Sequence, residues 1–429
     1  MDWNELYNLG LGLFEKATAF FDEALEMKPD PEAYYNQGVA LGNSGKFQEA
    51  IASYDKALEI KPDYHEAWNN RGNAMNNLGL FEEALASCDK ALKIQPGFHL
   101  AWYNRGVALD NLGRFEEAIA SCDKALEIKP NFHEAWYNRG NALGNLGRWE
   151  EAIASYDKTL EIKPDYHLAW YNRGVALGNL GRFEEAIASY DKTLEIKPSY
   201  HEAWSNRGIA LGNLGRSEEA IASYGKALEI KPDFHEAWSN RGAALGNLGR
   251  WEEAIASFDK ALEIQPSYHE AWFNRGTAMG NLGRLEEAIV SYDKALEFKP
   301  GFHEAWYDRG TTLLYLGRFE AALASFDKAL EIKPDYHEAW DNRGVALGTL
   351  GRLEEALASL DKALEIQPDH HAAFYNKACC YALQSQIDQA IHNLQQAINV
   401  NPDKYRELAK TDSGFDSIRS DTRFQALIQ

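Results

Sequence analysis

The stretch that decides the fold runs from residue 133 to 166: HEAWYNRGNALGNLGRWEEAIASYDKTLEIKPDY. Two apolar stripes are written into it. Trp136, Gly140, Leu143 and Gly147 follow i, i+4, i+7, i+11, and Trp149, Ala152, Ile153, Tyr156, Thr159 and Leu160 follow i, i+3, i+4, i+7, i+10, i+11. Each spacing gathers its residues on one face of a helix. Gly147 separates the two patterns, the WEE run sets acids at the positive end of the second helix, and Pro164 closes it. Neither helix can cover its own stripe, so the pair must stack on neighbours.

The neighbours are further copies. Prolines 62, 96, 130, 164, 198, 232, 266, 300, 334, 368 and 402 keep a 34-residue beat. AWYNRG at 135–140 recurs unchanged at 101–106 and 169–174, with close variants in the other units. Self-similarity at this period signals a solenoid, in which each unit contacts only its neighbours. Eleven units are expected over 31–404, after an irregular N-terminal unit within 1–30. Residues 405–429 drop the beat but keep apolar spacing at Leu408, Phe415, Ile418, Phe424 and Leu427, which predicts capping helices and no linker to a further domain. The residue after each proline, such as Asp63, Asn131 or Asp165, belongs to the N-cap set, and Glu66, Glu134 or Glu202 three places on predicts a capping box. No strand pattern occurs.

In the 429 residues, 44 Lys and Arg against 65 Asp and Glu give a net charge of −21. That balance disfavours nucleic acid and anionic membranes. The opening MDWNELYNLG has no signal-peptide pattern, and no window approaches the ~18 apolar residues of a membrane span. Four cysteines are too few for a disulfide framework. Cys88 and Cys122 occupy the place of Tyr156 and Tyr190 and read as small core fillers, and a reduced cytoplasmic setting suits all four.

Through Trp136, Gly140, Leu143, Ala152, Tyr156 and Pro164 the unit resembles the tetratricopeptide repeat (TPR). Thr159 departs from the small residue that Ala57, Ala91 and Ala125 supply in preceding units. The near-identity of the middle units is similar to bacterial tandem arrays of this family. The resemblance implies an all-α, right-handed α-solenoid of antiparallel helix pairs, a superhelix whose first helices line a concave groove.

Glu134, Asn138, Asn141 and Asn145 form a polar stripe on the first helix. One amide row recurs as Asn104, Asn138, Asn172, Asn206, Asn240 and Asn274, and a second as Asn111, Asn145, Asn179, Asn213, Asn247 and Asn281. Tyr103, Tyr137 and Tyr171 stand beside the first row, and a glycine row (Gly144, Gly178, Gly212, Gly246, Gly280) shares its face. An Asn amide offers a donor and an acceptor, which matches a peptide unit. The rows are therefore candidate peptide-binding residues, similar to the asparagine ladder of O-GlcNAc transferases. The bland alternative is that the amides solvate the groove or tie neighbouring helices together.

Arg139 borders the apolar stripe and needs a partner. Asp123 of the preceding unit is favoured, as is Asp157 for Arg173, with bidentate geometry suiting Arg; an acid of the same unit or a groove anion are the rivals. Gly225 removes one such acid and should leave Arg241 the loosest. The histidines that open the units recur one per unit, too far apart to share a metal ion, and read as first-turn packing. No catalytic constellation, cofactor motif or metal cluster is visible. The expected function is a non-catalytic scaffold that binds an extended protein or peptide segment, more basic or neutral than acidic. The alternatives are a structural or self-associating spacer, or the recognition arm of an enzyme whose catalytic subunit is a separate chain.

Overall fold

The computed structural model describes residue 16, residues 18–23, 25–26 and 28–429. Two compact units divide the chain, Met1–Gly215 and Arg216–Gln429. The expected irregular N-terminal unit lies mostly outside the described residues. In the first compact unit, five helix pairs run from Pro31–Asn43 with Phe47–Ile60 to His167–Asn179 with Phe183–Ile196, followed by His201–Asn213. The second compact unit opens with Ser217–Ile230 and continues with five pairs, from His235–Asn247 with Trp251–Ile264 to His371–Leu383 with Ile387–Val400. Among the described residues there is no strand, and the fold is the expected all-α repeat of antiparallel helix pairs.

The pair His133–Asn145 and Trp149–Ile162 shows why the sequence folds this way. Gly147 takes φ +72°, the Arg148 N–H donates to the Leu143 carbonyl at 2.9 Å, and the Gly147 N–H donates to the Gly144 carbonyl at 2.9 Å. This is a Schellman ending, which satisfies the last carbonyls and reverses the chain. The helices then meet closely because Gly140 has no side chain. A Cβ there would lie 2.5 Å from Cε1 of Tyr156. Ala135, Ala142, Leu143 and Ala152 are fully buried around this contact. Cys88 and Cys122 fill the place of that ring against Gly72 and Gly106, as buried free thiols.

Two bonds that recur at the 34-residue beat tie each repeat to the one before, and a third anchors the same arginine within its own repeat. The Trp136 indole N–H donates to the Pro130 carbonyl at 2.9 Å, and its ring packs beside Ala125, Leu126 and Phe132. The Arg139 guanidinium sits 5.8 Å from the centre of that ring. Its Nε donates to Asp123 Oδ1 at 2.7 Å and its Nη1 to Ser155 Oγ at 2.7 Å. The arginine does reach the acid of the preceding repeat, as Arg173 reaches Asp157. It does not do so bidentately: the fork is shared with a serine of its own repeat, so one side chain joins three helices. Lys377 makes the equivalent contact to Asp361.

Two expectations are corrected. The capping box does not form. The repeat helices open at His65, His99, His133 and their equivalents, with Tyr or Phe at the N-cap and no side-chain cap bond. Asp63 and Asn131 fall in the turn ahead, where the Tyr64 and Phe132 N–H groups donate to Lys61 and Lys129 carbonyls at 3.2 Å. The aromatic at that place receives the histidine that opens its own repeat, packed edge-on, as His133 does on Tyr166 at 5.8 Å. Side-chain caps appear where the regular turn is lost, at Asp30, Asn401, Asp412 and Asp421. The second correction concerns Leu408, which is exposed; Tyr405 takes the buried place, packed with Phe415, Ile418, Phe424 and Leu394.

Gly225 deprives Arg241 of its acid and leaves it Ser257, at 2.7 Å, and the Trp238 ring. No atom lies within 4 Å of a Cβ built on Gly225. Gly225→Asp should therefore stabilise the protein by roughly 1 kcal/mol, and by more than Gly225→Asn, in thermal melts at neutral pH. Equal gains for the two would deny the arginine pairing any stabilising role. Asp157→Ala, which strands Arg173, should cost about 1–2 kcal/mol.

Candidate functional site

The first amide row sits half-buried between repeats. The Asn172 Nδ2 group donates to the Tyr137 hydroxyl at 3.0 Å and to Asn141 Oδ1 at 3.0 Å. Asn206 donates to the Tyr171 hydroxyl at 2.9 Å, and Asn138 bonds the Tyr103 hydroxyl. Asn104 is buried and donates to Asn69 Oδ1 at 3.0 Å, because repeat two carries an amide where its neighbours carry Tyr35 and Tyr103. Asn240 and Asn274 are half-buried. Tyr103, Tyr137 and Tyr171 pack on the aromatic that precedes the next repeat's first helix, with centroids 5.1, 5.0 and 4.9 Å away at Phe132, Tyr166 and Tyr200. Burial is the main cause that pushes the Tyr171 hydroxyl up to about 12. These phenols stay protonated at neutral pH.

The second row is exposed. Asn111, Asn179, Asn213 and Asn281 donate to the carbonyl four residues back in their own helix, at 2.9–3.0 Å. Asn145 reaches Asp110 Oδ1 at 3.5 Å, and Asn247 is exposed as well.

Cavities bring the rows together. One of about 400 Å³ is lined by Asn141, Gly144, Asn145, Trp149, Tyr156 and Asn172. Another of about 420 Å³ has Gly178, Asn179, Phe183, Tyr190, Asn206 and Asn213. Smaller ones hold Asn43 with Asn70, and Asn247 with Asn274. Each joins the second row of one repeat to the first row of the next, over a glycine. At three of the four cavities that glycine is not required for packing: a Cβ on Gly42, Gly144 or Gly178 would come no closer than 3.6 Å to anything, whereas one on Gly246 would lie 3.2 Å from the Trp251 ring. The glycine lies in the last turn of its helix, second from the end, where its lack of a side chain leaves the cavity open.

The floors of these cavities escaped the sequence reading. Trp149, Phe183 and Trp251 lie on the apolar stripe, and helical spacing cannot separate a core ring from one at the rim of a cavity. The serine row that receives the arginine fork was missed for a similar reason, since Ser155 looks like any small helix residue. A further cavity, about 610 Å³, lies between the last regular repeats and the Asp412–Gly414 turn, with Cys379 and Cys380 in its wall. Among the described residues no group of three or more His, Cys, Asp or Glu could hold a metal ion, and no helix is long and apolar enough to cross a membrane.

Two carboxylates interrupt the amide and glycine rows. Asp110 takes a glycine-row position, and burial raises its pKa, with the Asn145 amide in partial offset. Asp308 takes a first-row Asn position, where burial, then Glu304, lift it to about 6. An acid lifted in the folded state opposes folding once ionised, so the penalty is complete above pH 6 and fades as pH falls toward its ordinary value of 3.8. Asp308→Asn should raise stability at pH 7.5 by roughly 1–2 kcal/mol, with the gain shrinking between pH 6 and 4. Melting curves across that range check it; a gain independent of pH would contradict it.

Three models described as tetratricopeptide repeat match the chain. The first covers 31–64, 65–98, 99–132, 201–234, 235–268 and 269–302, the second 134–201 and 307–371, and the third 349–410. No curated protein matches. Among solved structures the chain is similar to YrrB, described as a TPR protein with an unusual peptide-binding site, at 26% identity and a TM-score of 0.40, over 43% of this chain and 95% of that one. It is similar to MamA from Desulfovibrio magneticus RS-1 at 23% identity and a TM-score of 0.38, over 40% and 96%. Yeast Tom70 matches at 17% identity and a TM-score of 0.40, over 93% and 99%. The repeat matches support a protein-interaction scaffold, and the chain belongs to the tetratricopeptide repeat family.

Proposed function

We propose that the chain is a non-catalytic scaffold that holds an extended partner segment along the amide-lined face of its first helices. One observation carries this reading: the recurring cavity where the second amide row of one repeat meets the first row of the next, over a glycine that no neighbour needs. The two rows divide the work. At Asn138, Asn172 and Asn206 the inner row bonds tyrosine hydroxyls of the preceding repeat, which fixes those amides and leaves their carbonyl oxygens to accept. The outer row stands in solvent at Asn111, Asn145, Asn179, Asn213, Asn247 and Asn281. An extended chain carries one N–H and one carbonyl per residue, and a row of fixed amides can hold those groups whatever the side chains are.

Taking about six such contacts at a net ~1 kcal/mol each, association costs leave roughly micromolar binding or weaker. The net charge of −21 favours a neutral or basic partner and not nucleic acid. Four free thiols suit a reducing cytoplasm.

The outer row gives the cleaner test, because the inner row also holds repeats together. Asn145, Asn179 and Asn213 replaced together by Ala should leave the melting temperature unchanged or slightly raised, since Ala favours the helix. Binding of a partner recovered by co-purification from the source cell should weaken roughly ten- to a hundredfold. Full retention of the partner by this variant would refute the groove.

A further inference from the structure

We infer that the cavity at Asp110 receives a lysine or arginine side chain of the bound segment; this rests on the groove reading above. Asp110 stands at the glycine-row place of the preceding repeat, and at this one cavity, which also keeps its own Gly144, that repeat adds a carboxylate to the lining. The cavity, about 400 Å³, is walled by Asp110, Asn141, Asn145, Trp149, Tyr156 and Asn172. No lysine or arginine lines it.

The Asn172 and Tyr156 donors beside it are turned inward. Asn172 gives its N–H groups to Tyr137 and Asn141, each at 3.0 Å, and the Tyr156 hydroxyl donates to Asn141 Oδ1 at 2.9 Å. The Asn145 amide lies 3.5 Å from Asp110 Oδ1, too long for a full bond. The Asp110 carboxylate, the Asn141 and Asn145 amides and the Trp149 indole remain to meet a ligand, and the carboxylate is the one charged group among them. That set suits a cation and repels a carboxylate or phosphate. Removing Asp110 partly from water costs free energy that no cation of the chain offsets, and an incoming ammonium or guanidinium group would offset it. Lysine and arginine share this chemistry, and a peptide scan separates them. The contact would set the register of a segment that the amide rows otherwise hold without regard to sequence.

The test uses the full chain, labelled, on an array of twelve-residue peptides in which Lys, Arg, Gln, Leu or Glu is scanned through a Ser-Ala background. Wild type should retain Lys or Arg peptides about three- to tenfold over their Gln counterparts. Asp110→Asn should abolish that preference while still retaining neutral peptides. Asp165→Asn makes the same change of net charge at an exposed turn residue outside the cavity, and should keep the preference. Asn is near-isosteric with Asp and common on this face, and the melting temperature of Asp110→Asn, expected unchanged or raised, confirms folding. Equal loss in both variants would mean that only the overall field acts, and would overturn the inference, as would a preference that survives Asp110→Asn. Retention of neutral peptides without any Lys or Arg preference would overturn the inference alone. No retention of any peptide would overturn the groove reading with it.

Discussion

The approach of a second-helix ring onto the bare face of a first-helix glycine is the constraint from which the rest follows. With Tyr156 against Gly140, the two helices of a repeat sit closer than a side chain beneath that ring would allow. The close seat buries the small residues Ala135, Ala142 and Ala152, and it leaves the pair as a thin slab with two faces still to cover. The indole bond to the proline carbonyl and the arginine shared between Asp123 and Ser155 then join each slab to the one before. The last pair keeps the same seat with Ala378 in place of the glycine and Leu394 in place of the ring, both fully buried in one cluster.

Polar groups on the first-helix face are arranged with the same economy. Donors point into the protein, toward tyrosine hydroxyls, neighbouring amides and helix carbonyls. At one cavity an acceptor, the Asp110 carboxylate, lines the open space. An acidic chain that also presents such an acceptor is poorly suited to phosphate and well suited to the N–H groups of another chain. The inner amides thus act as ties between repeats and as candidate contacts at once, so the two readings of the asparagine row are not exclusive.

How far the sequence carried depends on how local each feature is. Helix pairs, their glycine turns and the arginine partner were legible, because one 34-residue beat repeats the same spacing and the geometry of an amphipathic helix does the rest. The capping box misled: Asp63 and Glu66 have the right types at the right separation, but the helix starts one turn position later, at His65. What accepts the protons of Asn172 was not legible, since the acceptor lies 35 residues earlier on another repeat. The cavities were hidden for a related reason. Their floors, Trp149 and Phe183, belong to the apolar stripe, and only the stacking of repeats decides how much of such a ring reaches the surface.

The central claim is that the face between the amide rows, and not the second helices, receives the partner. Site-specific photo-crosslinking measures this most directly. A benzophenone amino acid at Val175, which lines two of the cavities, is predicted to capture the partner, and the same group at exposed Glu161 of a second helix is predicted to leave it free. Capture from Glu161 with none from Val175 would contradict the account.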